Sequence, residues 1–155
     1  MVKSVTRVLD GYCISYIVKL HHNDALTCED VSRERNIPLS QVLKCMIGKG
    51  VNKNVYVMLL PGDKRLKIKK MRYMEKDRKI VLVSRAELTR DFGLTVGAIT
   101  PIQFMGKAKF YIDKTALKEE YIDISAGSLN VGITLKTNDL IGLLNPTICD
   151  IISSK

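Results

Sequence analysis

Lys44 is a full charge inside an otherwise apolar run, Val42-Leu43-Lys44-Cys45-Met46-Ile47. Period-2 alternation puts it on the face shared by Val42 and Met46. Burying an ammonium without a partner is costly. Either the alternation breaks, or the strand lies at an edge and the lysine reaches water, or the charge serves a ligand. A lysine holds a phosphate or carboxylate as a compact point charge. Two other stretches could complete such a site. In Gly97-Ala98-Ile99-Thr100-Pro101 a Gly and a Pro bracket a stiff, extended turn. A glycine loop offers free backbone N–H groups to a developing oxyanion. Ser125-Ala126-Gly127-Ser128-Leu129-Asn130 reads as a turn of small residues. If the three converge, they suit hydrolysis of an ester on a polyanion with little side-chain acid–base chemistry.

Other chemistries lack their residues. The chain has no GxGxxG, no GxxxxGK[ST] and no GxSxG. The two histidines, His21 and His22, are adjacent in a loop with no nucleophile placed beside them. The four cysteines are scattered and form no CxxC pair, so neither a zinc site nor any cofactor is expected. Cys45 follows Lys44 and points to the opposite face, where a cysteine is usually small core filler.

The 155 residues are expected to form one domain, residues 1–155, with 46% apolar and 26% charged residues. No apolar run approaches a membrane span and the N-terminus lacks a signal-peptide core, so a cytoplasmic location is expected, with thiols reduced. The net charge of +9 favours an anionic partner. It concentrates between Asp63 and Lys79, where nine basic residues, Lys64, Arg65, Lys69, Lys70 and Arg72 among them, face three acidic ones. Aromatic residues are sparse, so a stacking platform for single strands is not supported.

The elements that must position these residues alternate along the chain. Residues 3–10 read as an amphipathic helix stopped by Gly11, and 12–20 as a strand. Thr27 opens a helix in a capping-box spacing with Asp30. Residues 42–47 and 55–60 read as a hairpin about a Gly/Asn-rich turn. Leu66 and Ile68 read as a short strand, residues 69–75 as a helix and 79–83 as a strand. Ser84 and Glu87 form a second capping box, with Gly93 ending that helix. Strands follow at 109–113, 121–125 and 131–135. Thr137 is expected to cap a last helix, and 147–152 to be a terminal strand. This interspersion predicts an α/β domain with a mixed, mostly antiparallel, strongly bent, barrel-like sheet surrounded by helices.

Four stretches, in order, resemble the YbaK / prolyl-tRNA-synthetase-associated editing domain superfamily over roughly residues 4–144. They are Ile37-Pro38-Leu39-Ser40-Gln41-Val42-Leu43-Lys44; Leu60-Pro61-Gly62-Asp63-Lys64-Arg65-Leu66; the GxxxP stretch Gly97–Pro101; and Ile124-Ser125-Ala126-Gly127 with Ile133-Thr134-Leu135 and Asp139-Leu140. The resemblance implies a YbaK-like fold and a trans-editing hydrolase that cleaves the ester of mischarged aminoacyl-tRNA, first of all tRNA for proline carrying Ala or Cys. It implies that Lys44 grips the terminal adenosine or its phosphate and that Gly97 offers its N–H to the carbonyl or the water. Thr27, Cys45, Thr100, Pro101, Ser125, Ala126 and Gly127 would line the substrate pocket. The basic set Lys64, Arg65, Lys69, Lys70 and Arg72 would meet the tRNA backbone. The terminal ribose hydroxyl or a substrate thiol assists attack in this family, which fits the shortage of histidine.

The chain departs from the family pattern in two places. Cys45 stands where Thr or Asn is frequent, and Asn130-Val131-Gly132 where some members carry a histidine. Both bear on amino-acid choice. They also motivate the alternative of an inactive tRNA-binding relative acting as an adaptor to a synthetase. A small-molecule esterase is a third reading, disfavoured by the charge. Oligomeric state is not readable from the sequence.

Overall fold

The computed structural model describes residues 1–154. Its centre is β3 (Val55–Pro61), flanked by β2 (Leu43–Lys49) antiparallel and β5 (Lys109–Asp113) parallel. Val57 and Leu59 face one apolar cluster and Tyr56 and Met58 another, so both faces of β3 are covered. That explains its unbroken apolar sequence. The sheet is completed by β4 (Val81–Leu82) beside β2, and by β8 (Thr147–Cys149), parallel to β5. A second, antiparallel sheet has the order β1 (Tyr16–Leu20), β7 (Val131–Lys136), β6 (Tyr121–Ser128).

The larger core lies between the sheets. It takes Val5 and Leu9 from α1 (Val2–Gly11), Ile122 and Ile124 from β6, and Leu140 and Leu144 from α5 (Thr137–Leu144). The smaller cluster sits under α3 (Ile68–Glu75), with Met71 against Tyr56 and Tyr111. Two further helices, α2 (Cys28–Arg35) and α4 (Arg85–Phe92), carry complete capping boxes at Thr27/Asp30 and Ser84/Glu87. Gly93 ends α4 at φ +64°.

The mixed α/β class holds, but the sheet stands as two, with β3–β5 and β5–β8 parallel, and no closed barrel forms among the described residues. Several local expectations change. Leu66 makes only an isolated bridge to Ile152, and Ile68 already belongs to α3. Gly11 is the last residue of α1, and the left-handed residue after it is Cys13, at φ 56°. Thr137 is the first residue of α5 rather than its cap; its hydroxyl donates to the Glu119 carbonyl. Ser125 to Ser128 is not a turn. It is strand with a bulge: Ser125 pairs with Gly132 and Ser128 with Val131, leaving Ala126 and Gly127 without partners across the ladder. Inserted residues need a backbone kink, supplied by Gly127 at φ +88° and by the Ser125 hydroxyl, which accepts from the Gly127 N–H at 3.1 Å. Small residues signalled irregular backbone here, but not of which kind.

Candidate active site

The two sheets touch through one parallel bridge, Val42 with Asp123. Beyond it β2 and β6 part. Each has its own outer partner, Lys44 opposite Leu60 and Ser125 opposite Gly132, and neither pairs with the other again. The gap is a cavity of about 440 Å³. Lys44, Cys45 and Met46 line it from β2, Asp123 and Ser125 from β6, and Thr27, Cys28 and Arg35 from the segment around α2. Gly97 and the start of α4 close the remaining side.

Lys44 resolves its sequence puzzle here. It is half-buried, and its Nζ donates to the Lys64 carbonyl. An ammonium has three donors, and the other two have no partner among the described residues. Its charge also reaches Cys28, where burial pushes the thiol pKa up and Lys44 pulls it the other way. Cys45 lines the cavity and also packs on the core, and burial raises its thiol far above the ordinary value. Neither thiol is therefore an activated nucleophile.

Gly97 occupies the third position of a turn closed by the Ala98 N–H on the Thr95 carbonyl at 2.9 Å, with φ +90°. This is the turn position that requires positive φ. Its own N–H is not used by the turn. A Cβ at 97 would lie 3.0 Å from Leu129 Cδ2 and 3.1 Å from the Ala25 carbonyl oxygen. Gly97→Ala is therefore expected to cost about 1–2 kcal/mol. Thermal denaturation should show a fall of several degrees; an unchanged midpoint would mean the turn relaxes freely.

A charged pair that sequence spacing did not single out stands where the strands meet. Arg35 Nη1 donates to Asp123 Oδ1, with side chains 3% and 1% exposed. Thr134 Oγ1 donates to Asp123 Oδ2 at 3.1 Å, and Arg35 Nε donates to His21 Nε2 at 3.3 Å. Burial raises the Asp123 carboxyl pKa, opposed first by Arg35. Gly132 makes room for the pair, since a Cβ there would lie 2.1 Å from Arg35 Nη1. The available signal was an acid between two isoleucines, Ile122-Asp123-Ile124, the counterpart of the lysine in β2.

The other expected site residues divide. Thr27 and Ser125 line the cavity together with Lys44, Cys45 and Gly97. Ala126 is fully buried in the core, and a Cβ on Gly127 would strike Met1. Thr100 and Pro101 are buried outside the lining. The structure thus moves these four behind the cavity wall. Of the basic set, Arg65 and Lys69 are exposed and Lys64 half-exposed. Lys70 pairs with Asp150 at 2.6 Å, and Arg72 Nε donates to the Ile80 carbonyl at 2.8 Å, so both also serve the fold. No helix among the described residues is long and apolar enough to cross a membrane.

Comparison with known proteins bears on this cavity. The profile for the "Aminoacyl-tRNA editing domain" matches residues 22–143, which hold every cavity residue named above. The chain belongs to the aminoacyl-tRNA editing domain family. This editing domain is 23% identical over 132 residues to the "Putative Cys-tRNA(Pro)/Cys-tRNA(Cys) deacylase EbsC" of Enterococcus faecalis, covering 85% of this chain and 80% of that one. It is 26% identical over 99 residues to the proline–tRNA ligase of Fervidobacterium nodosum, covering 64% of this chain but only 17% of the ligase. Among solved structures, "hypothetical protein APE2540" superposes with TM-score 0.88 at 18% identity, over 96% of this chain and 99% of that one. A "putative trans-editing enzyme for prolyl tRNA synthetase" gives 0.83 at 16%, over 99% and 97%. The resemblance read from the four stretches is borne out: the chain is an aminoacyl-tRNA editing domain by family.

Proposed function

We propose that the chain acts in trans on mischarged tRNA for proline, with alanine or cysteine as the first amino acids to test, and hydrolyses the ester between amino acid and terminal ribose. The single observation behind this reading is that the Lys44 ammonium and the Gly97 turn, separate in sequence, border one cavity. Lys44 holds the terminal adenosine or its phosphate and so fixes the ester. The Gly97 N–H donates to the carbonyl oxygen and stabilises the charge that develops there as water adds to the carbon. The ribose oxygen then leaves, with its own neighbouring hydroxyl available as proton carrier. Thr27 and Ser125 flank the aminoacyl group. Lys64, Arg65 and Lys69 contact the tRNA backbone, with Lys70 and Arg72 at the edge of that surface. Support for action in trans, with docking on a synthetase as a further option, comes from the near full-length match to the Enterococcus protein.

The test is a deacylation panel: tRNA for proline charged in turn with Ala, Cys, Ser and Pro. Selective loss of one mischarged ester, with prolyl-tRNA spared, is the expected result. If all four esters survive while the tRNA still binds, the chain is an RNA-binding adaptor instead.

A further inference from the structure

The Arg35–Asp123 pair is not needed by the mechanism just described, yet it occupies the closed end of the same cavity. A buried ion pair is rarely more stabilising than apolar side chains of equal volume, so its presence needs another reason. A guanidinium has five N–H donors. Nε and Nη1 account for two of them, and no further acceptor is found among the described residues. Nη2 makes no hydrogen bond within the described residues and is not fully buried, and Arg35 borders the cavity. Asp123 borders it too, with its oxygens held by Arg35 and Thr134.

We propose that Arg35 and Asp123 form a polar clamp at the closed end of the cavity, so that a small aminoacyl group bearing a hydroxyl or thiol is cleaved in preference to one ending in a methyl. The inference rests on the deacylase reading and adds to it which small side chain is taken. A hydroxyl there accepts from the free guanidinium donors and donates toward the carboxylate. The methyl of alanine fills less of the same space and leaves the free Nη2 donors of Arg35 without an acceptor. A site built to hydrogen-bond its substrate rejects the analogue that lacks the group far better than an apolar pocket discriminates by size. A bond to a charged partner corresponds to about tenfold to a hundredfold. The order expected is seryl, then cysteinyl, whose thiol bonds more weakly, then alanyl.

The experiment measures kcat/KM on one tRNA for proline charged with Ser, Cys or Ala, for the parent and for the double variant Arg35→Leu/Asp123→Leu. The parent should favour seryl over alanyl by roughly tenfold or more. The double variant should lose that preference, and a role in folding alone would lower all three rates together without changing their ratio. A parent ratio at or below one overturns the clamp whether or not the double variant folds, and so does a double variant that keeps the parent's ratio. In both cases hydrolysis itself persists, so the deacylase reading survives. A parent that cleaves none of the three overturns both.

Discussion

Replacing Lys44 with alanine should lower kcat/KM for the susceptible charged tRNA by about a hundredfold or more, the scale seen when a positioned cation or oxyanion donor is removed. Lys44 is the lysine that lines the cavity, and its ammonium is held by the Lys64 carbonyl. The loss should not be a folding loss. The side chain is half-buried, it engages one backbone carbonyl, and water can take over that carbonyl. The thermal midpoint should therefore stay within a few degrees of the parent. Lys44→Arg should not rescue, because a planar guanidinium is larger and donates in a fixed fork. Single-turnover deacylation beside a melting curve separates the two effects. A Lys44→Ala protein as fast as the parent would remove Lys44 from the reaction.

The largest stability effect belongs to Arg35 and Asp123 taken singly. Arg35→Leu strands a buried carboxylate and Asp123→Leu a buried guanidinium. Breaking a buried pair in this way costs about 3–5 kcal/mol, and for a chain of this size that lowers the midpoint by roughly 10 °C. Arg35→Leu/Asp123→Leu removes both charges and should recover most of the loss. Chemical denaturation of the three variants tests this. Additive losses in the double variant would mean the two residues stabilise the fold independently.

Most of the framework was legible because local rules and tertiary packing agree. Both capping boxes formed because a hydroxyl and a carboxylate three residues apart satisfy helix-start N–H groups without any outside partner. β3 was legible because a strand covered on both faces has to be apolar throughout. What escaped depended on long-range register. Ser125 to Ser128 became a bulge because β7 pairs on either side of it, which composition does not encode. Thr100, Pro101, Ala126 and Gly127 carry family-like motifs but are placed away from the cavity by the turn into a short 3-10 helix at Pro101, by the core around Ala126 and by Met1 against Gly127, none of which composition encodes. Arg35 and Asp123 are 88 residues apart, and although Asp123 stands between two isoleucines, nothing in the spacing names Arg35 as its partner.

Gly132 gives the pair a history as well as a location. Its missing side chain is where the guanidinium lies, so residues 35, 123 and 132 form a trio with no inexpensive first step out of it. A side chain at 132 collides with Arg35, loss of Arg35 strands Asp123, and loss of Asp123 strands Arg35. Single exchanges at the walls, Thr27, Cys45 and Ser125, leave the trio intact and are the less costly route to a changed pocket. Divergence in amino-acid choice among descendants of this chain should be written in those wall positions, with the trio inherited as one block.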